Sequence, residues 1–341
     1  MQTSTMVEML TSIWQRVLQR SAVGVEDNFF DLGGDSSLAL QLFNEIAVAC
    51  GRELPPVTIY VASTIAALAA VLEQPADLRF PPLVLLKDGS AKPPLFITHG
   101  LGGSVIDFFQ VVKHIRTPHP IQGMQARGID GKEEPFDRIE DMAQFHLDAI
   151  RQVQPQGPYL LAGYSLGGLV IFEMARRLTE AGEKVALLAM LDSYPDIRYL
   201  SLAQRARLVT RLTTRRAATA MKLPVGEAFS LILRPSRRRS VTPRLSYQLP
   251  VDVSLSPAMQ HARERAYLAL TRYKPRFYPG KIRFVRAEIP TDFPADPTAV
   301  WAHLARKFEV ETVPGDHLEI MSTHYEKLAS AISRYVEEAL R

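Results

Sequence analysis

The chain has 341 residues, 47% of them hydrophobic, enough for one large domain, a smaller companion and a sizeable buried core. Its one cysteine excludes an intramolecular disulfide framework and suits a reducing, cytoplasmic setting; no apolar run reaches the roughly 18 residues of a membrane span, and no secretory leader pattern is present. The net charge of +4 divides into −5 over residues 1–76, which hold 8 acidic and 3 basic residues, and +9 over the remainder, so the two parts attract each other, while the arginines accompany no nucleic-acid-binding motif.

Helical spacing of Met6, Leu10, Ile13, Trp14, Val17 and Leu18 predicts a first amphipathic helix. The turn-rich loop DNFFDLGGDSS follows, then a second helix over about 36–50 with Leu38, Leu42, Phe43, Ile46 and Ala49 along one side. Pro55 and Pro56 interrupt the pattern, and Ser63 or Thr64 can cap a last helix carrying Ile65, Leu68, Val71 and Leu72. These elements make a small all-α bundle over residues 1–75. Five prolines from Pro75 to Pro94 and weak periodicity mark residues 76–93 as a linker, although PPLVLLKDG is apolar enough to pack on a neighbour.

Beyond it, apolar strand candidates PLFITHG, YLLAGYS, VALLAMLD and KIRFVRAE alternate with helical patterns over about 142–153 and 168–181, the signature of an α/β domain over residues 94–341. A helical, Arg-rich stretch without strand signals, about 196–275, reads as an insertion above the sheet.

GYSLGG at 163–168 fits G-x-S-x-G in its required strand–turn–helix setting, which exposes the hydroxyl of Ser165 on a tight turn. A serine needs a base, and among eight histidines His317 stands out, on the Pro-Gly-opened loop after strand-like KFEVETV. His99, directly after the first strand, can shape the pocket, whereas the others sit in helical or turn surroundings. Asp192, ending VALLAML, stands at the same sheet edge as Ser165 and can orient the imidazole; Glu288 or Asp292, after KIRFVRAE, are the rivals. Oxyanion donors are expected from the backbone N–H of Leu166 and, in the HGLGG loop, of Leu101, with Gly102 as the alternative.

LGGDSS at 32–37 reads locally as a turn with Asp35 or Ser36 capping the next helix. In its wider setting DNFFDLGGDSSLAL resembles the modification loop of acyl and peptidyl carrier domains, a likeness covering nearly all of residues 3–72. It implies a covalent 4′-phosphopantetheine on Ser36, with Ser37 the neighbour. From Pro93 onward PLFITHGLGG, GYSLGG, LLAMLDS and VPGDH resemble, in order, the type I terminal thioesterases of nonribosomal peptide and polyketide synthases. That likeness implies an α/β-hydrolase fold, supports Asp192 over the later acids, and makes the insertion a lid.

The implied cycle passes an acyl or peptidyl chain from the arm on Ser36 to Ser165, followed by hydrolysis or macrocyclisation. Implied partners are upstream synthase domains or modules, a phosphopantetheinyl transferase and the acyl or peptidyl substrate, with no metal, nucleic acid or membrane, in a monomer. Arg205, Arg207, Arg211, Arg215, Arg216 and Arg237, Arg238, Arg239 are either solvated helix faces or contacts for the acidic carrier. The alternatives are a carrier module with an inactive hydrolase domain and a free-standing esterase.

Overall fold

The structure, a computed structural model, describes residues 3–74, 81–220, 256–290, 294 and 296–341. Four helices form the first domain: α1 (Thr3–Leu18), α2 (Ser36–Cys50), α3 (Thr58–Val61) and α4 (Ile65–Glu73). The apolar stripe of α1 supplies its core, with Trp14 edge-on to Phe29 at a ring separation of 5.2 Å. Asp35 caps α2 by accepting the Leu38 N–H, Gly51 ends it in the left-handed region (φ 68°), and Thr64 caps α4. The one-turn α3 has no periodicity to reveal it; it follows Pro55, whose carbonyl accepts the Thr58 hydroxyl at 2.6 Å. Cys50, at the end of α2, is only half-buried.

The second domain is a seven-stranded sheet in the order β1-β3-β2-β4-β5-β6-β7. Its strands are β1 (Leu83–Lys87), β2 (Leu95–Thr98), β3 (Ile121–Met124), β4 (Tyr159–Tyr164), β5 (Val185–Leu191), β6 (Tyr278–Ala287) and β7 (Ala305–Val313). All neighbours run parallel except β1, which pairs antiparallel with β3. One face, with Phe96, Leu161, Leu188 and Met190, packs on α6 (Ile139–Val153) and α7 (Leu166–Glu180). The other, with Leu95, Ile97, Leu160 and Ala162, packs on α5 (Phe109–His114) and the C-terminal helix Tyr325–Ala339. Burial on both faces explains why the central strands read as continuous apolar runs. This is the α/β-hydrolase arrangement.

The linker reading needs correction at residues 83–87, which form the edge strand β1 with Val84 buried. Main-chain pairing with β3 and the burial of one face outweigh a proline-rich context that offers little periodicity, and Pro81 and Pro82 flank the strand without interrupting it. The insertion contains α8 (Leu202–Ala220) and α9 (Pro257–Arg272). Arg237, Arg238 and Arg239, and the side chains of Arg211, Arg215 and Arg216, lie outside the described residues. Of the remaining two, Arg205 donates to backbone carbonyls of its own segment and Arg207 is exposed. The end of α9 is tied to α7, since Tyr273 Oη donates to Glu173 Oε2 at 3.2 Å.

The two domains meet through an aromatic and aliphatic contact. Phe30, from the loop that precedes Ser36, stacks on Phe109 at the start of α5, with ring centroids 4.1 Å apart. Tyr60 leans on both rings, and Val57 joins Val84 and Val105 in a small cluster.

Candidate active site

Strand β4 delivers Ser165 to the sheet's carboxyl edge, where the chain turns directly into α7. Ser165 adopts φ 55°, ψ −120°, a strained conformation for a residue with a side chain and the signature of a nucleophile on a sharp elbow. The turn closes only because its flanks are glycines. A Cβ on Gly163 would lie 2.4 Å from the Gly167 carbonyl oxygen, and one on Gly167 would lie 2.3 Å from that of His99.

Asp192 follows β5 and also has a positive φ, 45°. Its N–H donates to the Val285 carbonyl at 2.7 Å and its Oδ1 accepts the Ala287 N–H at 3.1 Å, so β6 fixes both its backbone and its carboxylate. The Ser193 carbonyl accepts the Trp301 indole N–H at 3.0 Å, which secures the turn from the other side. His317 sits on the loop after β7. Gly315 (φ 88°) makes the bend, and Asp316 accepts the N–H groups of Leu318 and Glu319, starting a one-turn helix, Glu319–Ser322.

These loops bring the three side chains together. The Ser165 hydroxyl donates to His317 Nε2 at 3.1 Å, and His317 Nδ1–H donates to Asp192 Oδ2 at 2.7 Å. All three are buried, at 7%, 4% and 4% exposure respectively. With Nδ1–H committed to the carboxylate, Nε2 is left as the acceptor facing the serine, the tautomer a general base requires. Of the rival acids, Glu288 is exposed and Asp292 lies outside the described residues. Tyr164, which the sequence did not single out, stacks on the His317 ring at 4.7 Å and donates its hydroxyl to the His317 carbonyl at 2.5 Å. A tyrosine beside the nucleophile has no pattern of its own to announce that role.

Leu166 is the first residue of α7, so its N–H is one of the groups a helix start leaves without an intrahelical partner. The HGLGG loop lies against the elbow: a Cβ on Gly100 would come within 3.6 Å of Ser165 Cβ. Neither Leu101 nor Gly102 is seen donating its N–H to a protein acceptor among the described residues, so both stay available to an oxyanion. No cluster of metal-binding side chains occurs among the described residues, and no helix among them is long and apolar enough to cross a membrane.

In the first domain, Ser36 opens the 15-residue α2, directly after the cap residue Asp35. Gly34 is seated so tightly that a Cβ would lie 2.3 Å from the Phe29 ring, which fixes the approach of the loop to the helix. A helix N-terminus with its cap in place offers N–H groups and positive dipole to a phosphodiester, so these residues fit a phosphopantetheine attached there.

The family model for the thioesterase domain matches residues 93–336, and that for the phosphopantetheine attachment site matches residues 8–72. The chain belongs to the thioesterase domain family. It is a thioesterase domain joined to a carrier domain of the kind that bears a covalent phosphopantetheine arm. The chain is 44% identical over 190 residues to the dimodular nonribosomal peptide synthase of Bacillus subtilis (strain 168), over 55% of its own length and 8% of that protein. It is 28% identical over 358 aligned residues to the chondramide synthase of Chondromyces crocatus, across 97% of this chain and 9% of that one. The chain thus spans less than a tenth of either relative. In fold, it is similar over 98% of its length to 26% of a four-domain nonribosomal peptide synthetase, holo-AB3403, with TM-score 0.58 and 24% identity. It is also similar over 72% of its length to 95% of the NocB thioesterase domain, with TM-score 0.51 and 20% identity.

Proposed function

We propose that this thioesterase releases an acyl or peptidyl chain delivered on Ser36, taking it onto Ser165 and discharging it by hydrolysis or macrocyclisation. The observation that carries this reading is the hydrogen-bonded run from Ser165 through His317 to Asp192, in the same chain as a carrier loop.

Bound on Ser36, 4′-phosphopantetheine supplies the thiol that holds the chain as a thioester. His317 Nε2 takes the proton from Ser165 as its Oγ attacks the thioester carbonyl. Asp192 stabilises the imidazolium, and the N–H groups of Leu166 and Leu101 receive the developing oxyanion. His317 then returns the proton to the departing sulfur, leaving an ester on Ser165. A second nucleophile, either water or an amine or hydroxyl of the chain itself, surrenders its proton to His317 and attacks that ester; His317 then gives the proton to Ser165 Oγ as the acyl–oxygen bond breaks, freeing the product and the serine. The insertion bearing α8 and α9 serves as a lid that governs access of water to this step. The reading also includes a phosphopantetheinyl transferase as modifying partner, upstream synthase modules as donors, and a cytoplasmic monomer.

The test loads the full chain with coenzyme A and a phosphopantetheinyl transferase and follows intact mass. Wild type and Ser165→Ala are expected to gain the arm and Ser36→Ala not to. A chain that gains no arm, yet turns over a simple ester, would favour the free-standing esterase instead.

A further inference from the structure

Two buried histidines lie outside the hydrogen-bonded run at Ser165. His99 follows β2 and His146 lies in α6; each is 1% exposed, and their rings meet edge to face at 6.0 Å. His99 Nδ1 stands 2.6 Å from the carbonyl oxygen of Gly100. A carbonyl can only accept, so the proton belongs on Nδ1 and Nε2 is the bare nitrogen. Burial, partly countered by that bond, pushes the His99 pKa down to about 4, and burial together with His99 pushes His146 down to about 3. Both rings are therefore neutral at neutral pH, and His99 is held in one tautomer.

The consequence lies on the other side of the peptide bond. A trans peptide is planar, so the Gly100 carbonyl and the Leu101 N–H point in opposite directions. The Gly100 oxygen is held by two donors, the His99 ring and the Gly103 N–H at 3.3 Å. With that oxygen drawn toward the interior, the Leu101 N–H is turned away from it. A Cβ on Gly100 would stand 3.2 Å from Tyr164 Cδ1 and 3.6 Å from Ser165 Cβ, so this peptide borders the nucleophile. Glycine itself does little to restrict the plane, which leaves the anchoring to these two donors, of which the ring makes the shorter bond.

We propose that His99 is a positioning residue: its Nδ1–H holds the Gly100–Leu101 peptide in the orientation that aims the Leu101 N–H at the carbonyl oxygen attacked by Ser165. The inference rests on Leu101 being an oxyanion donor, and the experiment separates the two claims. Hydrolysis of S-hexanoyl-N-acetylcysteamine by the full chain is measured for wild type, His99→Leu, His99→Asn and a Leu101 variant whose amide is replaced by an ester through incorporation of the matching α-hydroxy acid. Active-site concentration comes from fluorophosphonate labelling and folding from thermal melting.

Losing one oxyanion donor costs about a hundredfold or more in kcat, and misaiming it about tenfold to a hundredfold. His99→Leu is expected to lower kcat by that amount with KM within about twofold. His99→Asn, whose amide nitrogen reaches the position of Nδ1, is expected to restore kcat to within about threefold. Adding His99→Leu to the Leu101 ester is expected to cause little further loss, because both act through one N–H. A fall in kcat for the ester but not for His99→Leu would overturn the positioning role while leaving Leu101 as donor. An ester with unchanged kcat would overturn the oxyanion assignment and the proposal with it. An Asn variant as impaired as the Leu variant, with both folded, would also overturn it.

Discussion

The two buried imidazoles make the thioesterase domain sensitive to mild acid. Their folded pKa values, about 4 for His99 and about 3 for His146, lie below the ordinary 6.5, so between those limits the unfolded chain binds more protons than the folded one. Stability then rises with pH through this window and is lost on acidification. At about pH 5 an ordinary imidazole is almost wholly protonated while both buried rings remain neutral, which costs about 2 kcal/mol each, or about 4 kcal/mol together, relative to about pH 8. That figure depends little on the folded values so long as both lie below 5. Glu173, which burial alone would raise but Arg176 and Arg177 hold below its ordinary 4.5, loses its contribution only at lower pH. Asp107, whose carboxyl is pushed up to about 6 by desolvation although the residue as a whole is exposed, acts in the opposite sense. It is common to wild type and variant, so a comparison removes it. His146→Leu replaces a ring whose Nδ1 has no partner among the described residues, so at about pH 8 its stability should equal or exceed that of wild type. The assay is urea unfolding followed by Trp301 fluorescence in a Trp14→Phe background, since these two tryptophans report the two domains. Between about pH 8 and about pH 5 the variant should lose about 2 kcal/mol less than its parent. Equal losses in the two proteins would refute the buried-neutral account.

Asp192→Asn should keep the fold but lower kcat by about ten-thousandfold, because an amide no longer fixes the His317 tautomer; steady-state thioester hydrolysis checks it. Phe109→Ala should slow discharge of an acyl group loaded on the chain's own carrier by about threefold to tenfold, the worth of an aromatic stack, while hydrolysis of a free N-acetylcysteamine thioester is unchanged. An equal effect on both reactions would mean that the stack does not serve delivery. Arg176→Met leaves the buried Glu173 with Arg177 as its remaining cation and should cost about 3 kcal/mol in urea unfolding; a neutral result would mean that Arg177 alone compensates the charge.

What the sequence made legible followed burial and chain punctuation. Strands β2, β4 and β5 are short apolar runs because helices cover both sheet faces, and the glycines of the elbow marked where backbone and backbone press together. Ser165 and Asp192 could be found as polar residues at the ends of such runs and His317 on the Pro-Gly-opened loop after β7, although 125 positions separate the acid from the histidine it holds. Strand β3, only four residues containing a glycine, offered too little pattern, and β1 takes its identity from pairing with β3. The stacking of Tyr164 on His317 and the bond from His99 to its neighbour's carbonyl depend on ring orientation, which spacing does not encode. The charge asymmetry suggested electrostatic attachment of the carrier, whereas the contact observed is aromatic: Phe30, Tyr60 and Phe109 come from three separate segments that only the folded chain assembles.

The central claim is that a chain on Ser36 moves to Ser165 before release. Transferring an acyl-phosphopantetheine from acyl-coenzyme A onto Ser36, quenching with acid at successive times and mapping the acyl group by peptide mass spectrometry tests it directly. The account predicts that the group appears on the peptide containing Ser165 as it leaves the peptide containing Ser36, and that in Ser165→Ala it stays on the Ser36 peptide. Release at an undiminished rate in Ser165→Ala would contradict it.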